Sequence, residues 1–284
     1  MENEVLRRSL IQKYFTPDRY IDLLKITMMN DIDNNSKYIW IMEYLKDQDI
    51  PAQILGSGTN RCGALIEGYA FKFALDRAGK IDNRREALYT VPLHPIVIKV
   101  YESIPDGMIA TSEYVQIFTI DDYMERKDEM RSMLEKIADM GFLIGDVGIS
   151  TKNYVNWGIR NDGSICIMDF AYIYNTKYAT FKCKCGGTLT YDKDFNFLIC
   201  NSCNEKYTFG NIRRRISRQD QENEIGNIRR TGYCLTKPEQ MVTYNPDLEP
   251  EWEKEKENKK SKKQIIDEIW KELKERKRQE KGYY

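Results

Sequence analysis

The chain has 284 residues, is 41% hydrophobic and 31% charged, and balances 44 Lys and Arg against 44 Asp and Glu. This is the composition of a soluble globular protein, and it excludes a uniformly basic nucleic-acid coat while leaving room for local basic patches. No apolar run approaches the roughly eighteen residues of a membrane span, and the N-terminus MENEVLRRSLIQKYF lacks the apolar stretch of a signal peptide, so the expectation is an intracellular, cytoplasmic protein without membrane contact. In that setting the seven cysteines read as metal ligands or free thiols rather than disulfides. The only histidine, His94, sits beside Pro95 at the start of an expected strand, which excludes Ser-His-Asp and Cys-His catalysis. Acid/base chemistry therefore falls to carboxylates or lysines.

Residues 1–50 read as a helical extension. Leu6, Leu10, Ile11 and Tyr14 recur at helical spacing, Pro17-Asp18 starts a second segment, and Ile39, Trp40, Met42 and Leu45 mark a third after the Asp33-Asn34-Asn35-Ser36 cap cluster. From Ile54 the period changes to short β-prone runs with glycines at 56, 58, 63 and 68. A hairpin at Gly56-Ser57-Gly58 lets backbone N–H groups approach a phosphate. Lys72 follows inside the apolar strand YAFKFA, where a lysine is unusual unless it meets an anion. Gly79 with Asp82 or Asn83 is expected to end a turn and cap a helix carrying Arg84, Arg85 and Glu86. HPIVIKVYES and MIATSEYVQIFTI read as two strands, and DDYMERKDEMRSMLEKIADMGFLIG as one amphipathic helix burying Met130, Met133, Leu134, Ile137 and Met140, with Gly141 at its C-cap.

That helix delivers the chain into GDVGISTKNYVNWGIRNDGSICIMDFA, residues 145–171. Two short apolar runs around Asn-Asp-Gly predict a β-hairpin with Asn156 at the start of one strand and Asp169 at the end of its partner. An amide oxygen and a carboxylate brought together there, beside Asp146 on the preceding loop, suit Mg²⁺ and its phosphates, because Mg²⁺ takes hard oxygen ligands.

This stretch resembles the catalytic loop and metal-binding segment of the protein-kinase-like fold, in which a catalytic Asp is followed by a metal-binding Asn, a hairpin and Asp-Phe-Gly. Asp146 matches the catalytic Asp, Asn156 the metal Asn (with Asn153 as the alternative), and Asp169-Phe170-Ala171 the tripeptide. Ile144-Gly145 replaces the family's His-Arg, and the Asp146-to-Asn156 spacing is longer than the family's. The resemblance covers roughly Ile54 to Phe170. It implies an ATP- and Mg²⁺-dependent atypical protein kinase that transfers the γ-phosphate to a protein hydroxyl. In it, Gly56, Ser57 and Gly58 cover the phosphates. Lys72, held by Glu86 with Glu67 as the alternative partner, positions them, Asn156 and Asp169 bind Mg²⁺, and Asp146 is catalytic. A small-molecule kinase of the same fold, a catalytically dead pseudokinase and a nucleic-acid-binding protein are the competing readings.

After Asp169 the pattern changes. Cys183, Cys185, Cys200 and Cys203 form CxC and CxxC pairs around an expected β-hairpin, the signature of a closed four-cysteine zinc ribbon. The following segment carries Arg213, Arg214, Arg215, Arg218, Arg229 and Arg230 and, with the ribbon, offers a nucleic-acid surface. Pro238-Glu239 resembles the end of a kinase activation segment, which makes the ribbon an insertion and points to a protein substrate. Ile265, Ile266, Ile269, Trp270 and Leu273 read as a C-terminal amphipathic helix. The expected architecture is α+β: a two-lobed kinase-like fold with a helical extension (1–50), an N-lobe (51–118), the catalytic part of a reduced C-lobe (119–180), the zinc ribbon (181–209), and a basic and helical region (210–284).

Overall fold

Pro17 has no backbone N–H to leave unpaired at a helix start, and it opens the second of three N-terminal helices. These are α1 (Leu10–Tyr14), α2 (Pro17–Met28) and α3 (Asn34–Asp47). Asp33 caps α3, accepting from the Ser36 backbone at 3.0 Å and from the Ser36 hydroxyl at 2.8 Å. The computed structural model of the protein describes residues 10–29, 31–104, 106–175 and 183–208. The arginines from Arg213 to Arg230, the Pro238-Glu239 pair and the Ile265–Leu273 run lie outside the described residues.

The three helices cover one face of a five-stranded antiparallel sheet. Its strands are β1 (Ala52–Ser57), β2 (Arg61–Ile66), β3 (Tyr69–Ala74), β4 (Val100–Ser103) and β5 (Ile109–Glu113), in the spatial order β1-β2-β3-β5-β4. Side chains alternate between the faces of a strand. Phe71 and Phe73 therefore pack with Phe15, Leu23, Ile41 and Leu45, while Lys72 faces the opposite side. On that side lies α4 (Arg77–Leu93), whose Ile81, Leu88, Tyr89 and Leu93 join a second core.

Several boundaries differ from the sequence expectation. Asp76, not Asp82 or Asn83, caps α4, accepting from Gly79 N at 2.8 Å. Asp82 and Asn83 are buried within the helix, where Asp82 takes the Asn60 amide at 3.0 Å and Asn83 donates to the Gly107 carbonyl at 2.8 Å. Gly79 is required by a close approach rather than by a turn. A Cβ there would lie 2.1 Å from the Asn60 carbonyl oxygen of the β1–β2 turn. His94 ends α4 instead of starting a strand, its N–H bonded to Thr90 O at 2.8 Å. The run after it is shortened, because Ile98 N bonds Ile167 O at 2.9 Å and Ile167 N bonds Ile96 O at 3.0 Å before β4 begins. The next run splits after Glu113 into β5 and β6 (Gln116–Ile117), which leaves the large sheet for another partner.

The long helix also divides. A capping box between Thr119 and Asp122 starts α5 (Ile120–Glu125), and α6 (Lys127–Asp139) follows from Arg126. Met130, Leu134 and Ile137 of α6 are fully buried, Met133 is partly buried, and Met140 lies past the helix end at 44% exposure.

Beyond α6 come β7 (Phe142–Ile144), β8 (Trp157–Ile159), β9 (Ile165–Ile167) and β10 (Ile173–Asn175). β8 and β9 form the expected hairpin, with β6 on the outer edge of β8. β7 pairs antiparallel with β10 and so brackets residues 145–172. The last described segment is a three-stranded antiparallel sheet of β11 (Leu189–Tyr191), β12 (Leu198–Cys200) and β13 (Lys206–Tyr207). The fold of the described residues is thus mixed α/β with antiparallel sheets. Among them no helix is long and apolar enough to cross a membrane.

Candidate active site

One cavity of about 550 Å³ is lined by Gly56, Ser57 and Gly58 of the β1–β2 turn, by Lys72, and by Asp146, Asn156 and Asp169. Glu86 stands behind this wall with its side chain fully buried. Lys72 Nζ reaches Glu86 Oε2 at 2.6 Å and the Met168 carbonyl at 2.9 Å. Glu67, the alternative partner of Lys72, pairs with Lys13 instead. Glu86 Oε1 accepts from Arg61 Nη2 at 2.9 Å and from the Phe170 backbone at 3.3 Å, so each oxygen of this buried carboxylate is bonded. Removing one partner of such a pair leaves the other charge uncompensated. Glu86→Ala is expected to lower unfolding free energy by about 3 kcal/mol, the low end for a buried pair, because Lys72 opens onto the cavity and rehydrates. A urea titration monitored by fluorescence measures it.

Arg61 was not among the sequence candidates. It also binds Asp169, Nη2 to Oδ1 at 2.8 Å, and so joins the two carboxylates through one guanidinium. The alternation along β2 carries the signal for it. Cys62, Ala64 and Ile66 are buried on the helix-covered face, which leaves Arg61 on the face of Lys72. Asp169 is half-exposed at the cavity. Partial desolvation pushes its carboxyl upward, but the charges of Arg61 and Lys72 outweigh this and hold it below the ordinary carboxylate range.

Asp146 is exposed at the cavity with φ +61°, a left-handed conformation that Asp and Asn adopt more readily than most residues. Asn156, at the end of a short 3₁₀ turn before β8, donates Nδ2 to the Asp146 carbonyl at 2.6 Å. That bond fixes the orientation of its amide. Asn153 does not line the cavity, and its Nδ2 bonds the Gly148 carbonyl at 3.2 Å. The Asn156 amide oxygen and the Asp169 carboxylate are hard oxygen donors on one wall, a set suited to a hydrated Mg²⁺ carrying phosphates.

The sulfurs of Cys183, Cys185, Cys200 and Cys203 lie within 4.8 Å of one another. Cys183–Cys203 is 3.5 Å and Cys185–Cys200 is 3.4 Å. A tetrahedron with 2.3 Å zinc–sulfur bonds has sulfurs about 3.8 Å apart, so the four thiols fit a closed metal shell. The Tyr207 hydroxyl, 3.1 Å from Cys183 Sγ, holds that thiol below its ordinary range. Cys62 and Cys166 are buried elsewhere, and burial pushes each thiol up to about 12.

No protein-family model matches the chain, and no curated protein does. Choline kinase LicA from Streptococcus pneumoniae is a solved structure that the chain is similar to, at 14% identity and a TM-score of 0.28, over 72% of this chain and 84% of that one.

Proposed function

We propose that the chain is an ATP- and Mg²⁺-dependent phosphotransferase of the protein-kinase-like class, acting on a protein hydroxyl. The observation that carries this reading is the convergence of Lys72, fixed by the buried Glu86, with Asp146, Asn156 and Asp169 around one cavity under a glycine turn. In it the five-stranded sheet with α4 is the smaller lobe, and α5, α6 and the β8–β9 hairpin belong to the larger one. Leu55, Ala70, Ile98 and Val115 give the cavity an apolar stretch for an adenine, next to backbone groups at 112–115. The protein acceptor rests on sequence features, the arginine-rich segment and Pro238-Glu239.

Lys72 binds α- and β-phosphate oxygens and gains nothing from mobility, because Glu86 and the Met168 carbonyl fix its ammonium. Asn156 and Asp169 would hold Mg²⁺, which when bound neutralises phosphate charge. Asp146 orients the acceptor hydroxyl and takes its proton as the new O–P bond forms and ADP leaves. The four-cysteine group would hold a structural zinc, since a closed thiolate shell leaves no position for a substrate. Asp169→Ala is expected to abolish Mg²⁺-ATP-dependent phosphorylation while the far-ultraviolet dichroism stays unchanged. Undiminished transfer of labelled phosphate by that variant would remove the assignment.

A further inference from the structure

We propose that the tip of the β11–β12 hairpin is a positioning element for the Asp146 loop, with Tyr191 and Asn196 as the positioning residues. The cysteine-bearing segment contributes more than a metal shell, because its far end is docked on the loop. The Tyr191 hydroxyl both accepts from the Ile144 N–H and donates to the Ile144 carbonyl, the latter at 3.1 Å. It stands where a neighbouring strand would on the open side of β7. Three residues past Asp146 the same thing recurs. Ile149 N donates to the Asp194 carbonyl at 2.7 Å, and Asn196 Nδ2 donates to the Ile149 carbonyl at 3.1 Å. Both backbone groups on each side of Asp146 are therefore held by the hairpin tip, at residues that are themselves buried. A buried backbone group without a partner is costly, so the loop cannot keep this course if the tip leaves.

The tip is itself rigid. Asp192 Oδ1 accepts from Asn196 N at 2.7 Å and Phe197 N at 3.0 Å, and Arg131 of α6 binds Asp194 at 3.0 Å. Phe195 enters the main core beside Tyr191, ring centroids 4.8 Å apart, in a left-handed conformation of φ +58°. That conformation carries its carbonyl against Gly148, where a Cβ would meet it at 2.4 Å. A non-glycine residue held at positive φ is strain that the surroundings must hold in place. Here it sits at the contact with the loop bearing Asp146.

The inference rests on Asp146 being the reacting base, and its test separates the two. Tyr191→Phe deletes only the hydroxyl, and Asn196→Ala independently deletes the side-chain half of the second clamp, the bond to the Ile149 carbonyl. In the full-length chain, Tyr191→Phe is expected to speed hydrogen exchange of the Ile144 amide by about tenfold, the equivalent of one net hydrogen bond, and Asn196→Ala, by leaving the Ile149 carbonyl without its side-chain donor, to speed exchange of the loop amides around Ile149 by a similar factor. Each is also expected to lower kcat by about 10²-fold with KM for ATP within twofold, as a misplaced reacting group does. Exchange unchanged in both variants overturns the proposal whatever the activity. Faster exchange with a fall in kcat of about 10²-fold supports it, and faster exchange with kcat unchanged in an active enzyme overturns it. Faster exchange in a protein whose wild type never transfers phosphate keeps the brace and removes the phosphotransfer reading.

Discussion

Asp146→Asn is expected to lower kcat for phosphate transfer by about 10²–10⁴-fold, the usual contribution of a positioned general base, with ATP affinity little changed. Asparagine is the informative replacement. It has the volume of aspartate and tolerates the left-handed backbone at φ +61°. It also leaves intact the Asp146 carbonyl that anchors Asn156 at 2.6 Å. An alanine would add backbone strain to the lost carboxylate and blur the result. Because Lys72 and Glu86 are untouched, nucleotide binding reports on the remainder of the site. Rapid-quench turnover with labelled ATP measures the effect, and titration calorimetry checks that binding persists. A kcat within threefold of wild type would show that Asp146 carries no proton.

Cys200→Ser should release the metal and unfold the segment from Cys183 to Tyr207. The apolar cluster around the cysteines is small: Leu198, Cys200, Cys183 and Tyr207 are buried, with Leu189 and Tyr191 only partly so, and Phe195 at the hairpin tip packs into the main core instead. Structural zinc supplies an apparent ~10–16 kcal/mol in zinc-finger peptides, far more than such a cluster. Cys200 is fully buried, so a serine hydroxyl in its place also faces burial without a thiolate's metal bond. Metal analysis of the purified chain should give one zinc in the wild type and none in the variant, with new proteolytic cuts between residues 183 and 207. A variant that keeps this segment protected and metal-free would show that the cysteines are not structural ligands.

Residue pattern made much of this legible, and the reasons are local. A lysine interrupting YAFKFA could not sit in the packed face occupied by Phe71 and Phe73, so it had to meet an anion on the other side, and Glu86 is there. Asp162-Gly163 between two apolar runs fixed the β8–β9 hairpin, and Gly163 takes φ +83°. The spacing of four cysteines around a hairpin placed their sulfurs together. The features that depart from the residue pattern depend on partners distant in sequence. Gly79 resembles a turn residue but is small because the Asn60 carbonyl presses on it. The strand from His94 to Ser103 is cut short by its exchange with Ile167. Arg61 is legible as the cavity face of β2 through alternation, but its two carboxylate partners, Glu86 and Asp169, lie far from it in sequence. The β7–β10 pair and the docking of Tyr191 and Asn196 join residues with no periodic or motif signal between them.

The most direct measurement is incubation of the wild-type chain with γ-labelled ATP, with and without Mg²⁺, following label onto its own hydroxyls or those of added protein. Ser217, Thr231 and Tyr233, outside the described residues, are the first sites to map. Label appearing on protein only with Mg²⁺ is the expected result. ATP that binds in the cavity yet stays intact, with protein, small hydroxyl compounds and water all offered as acceptors, would contradict a phosphotransferase and leave a nucleotide-binding protein.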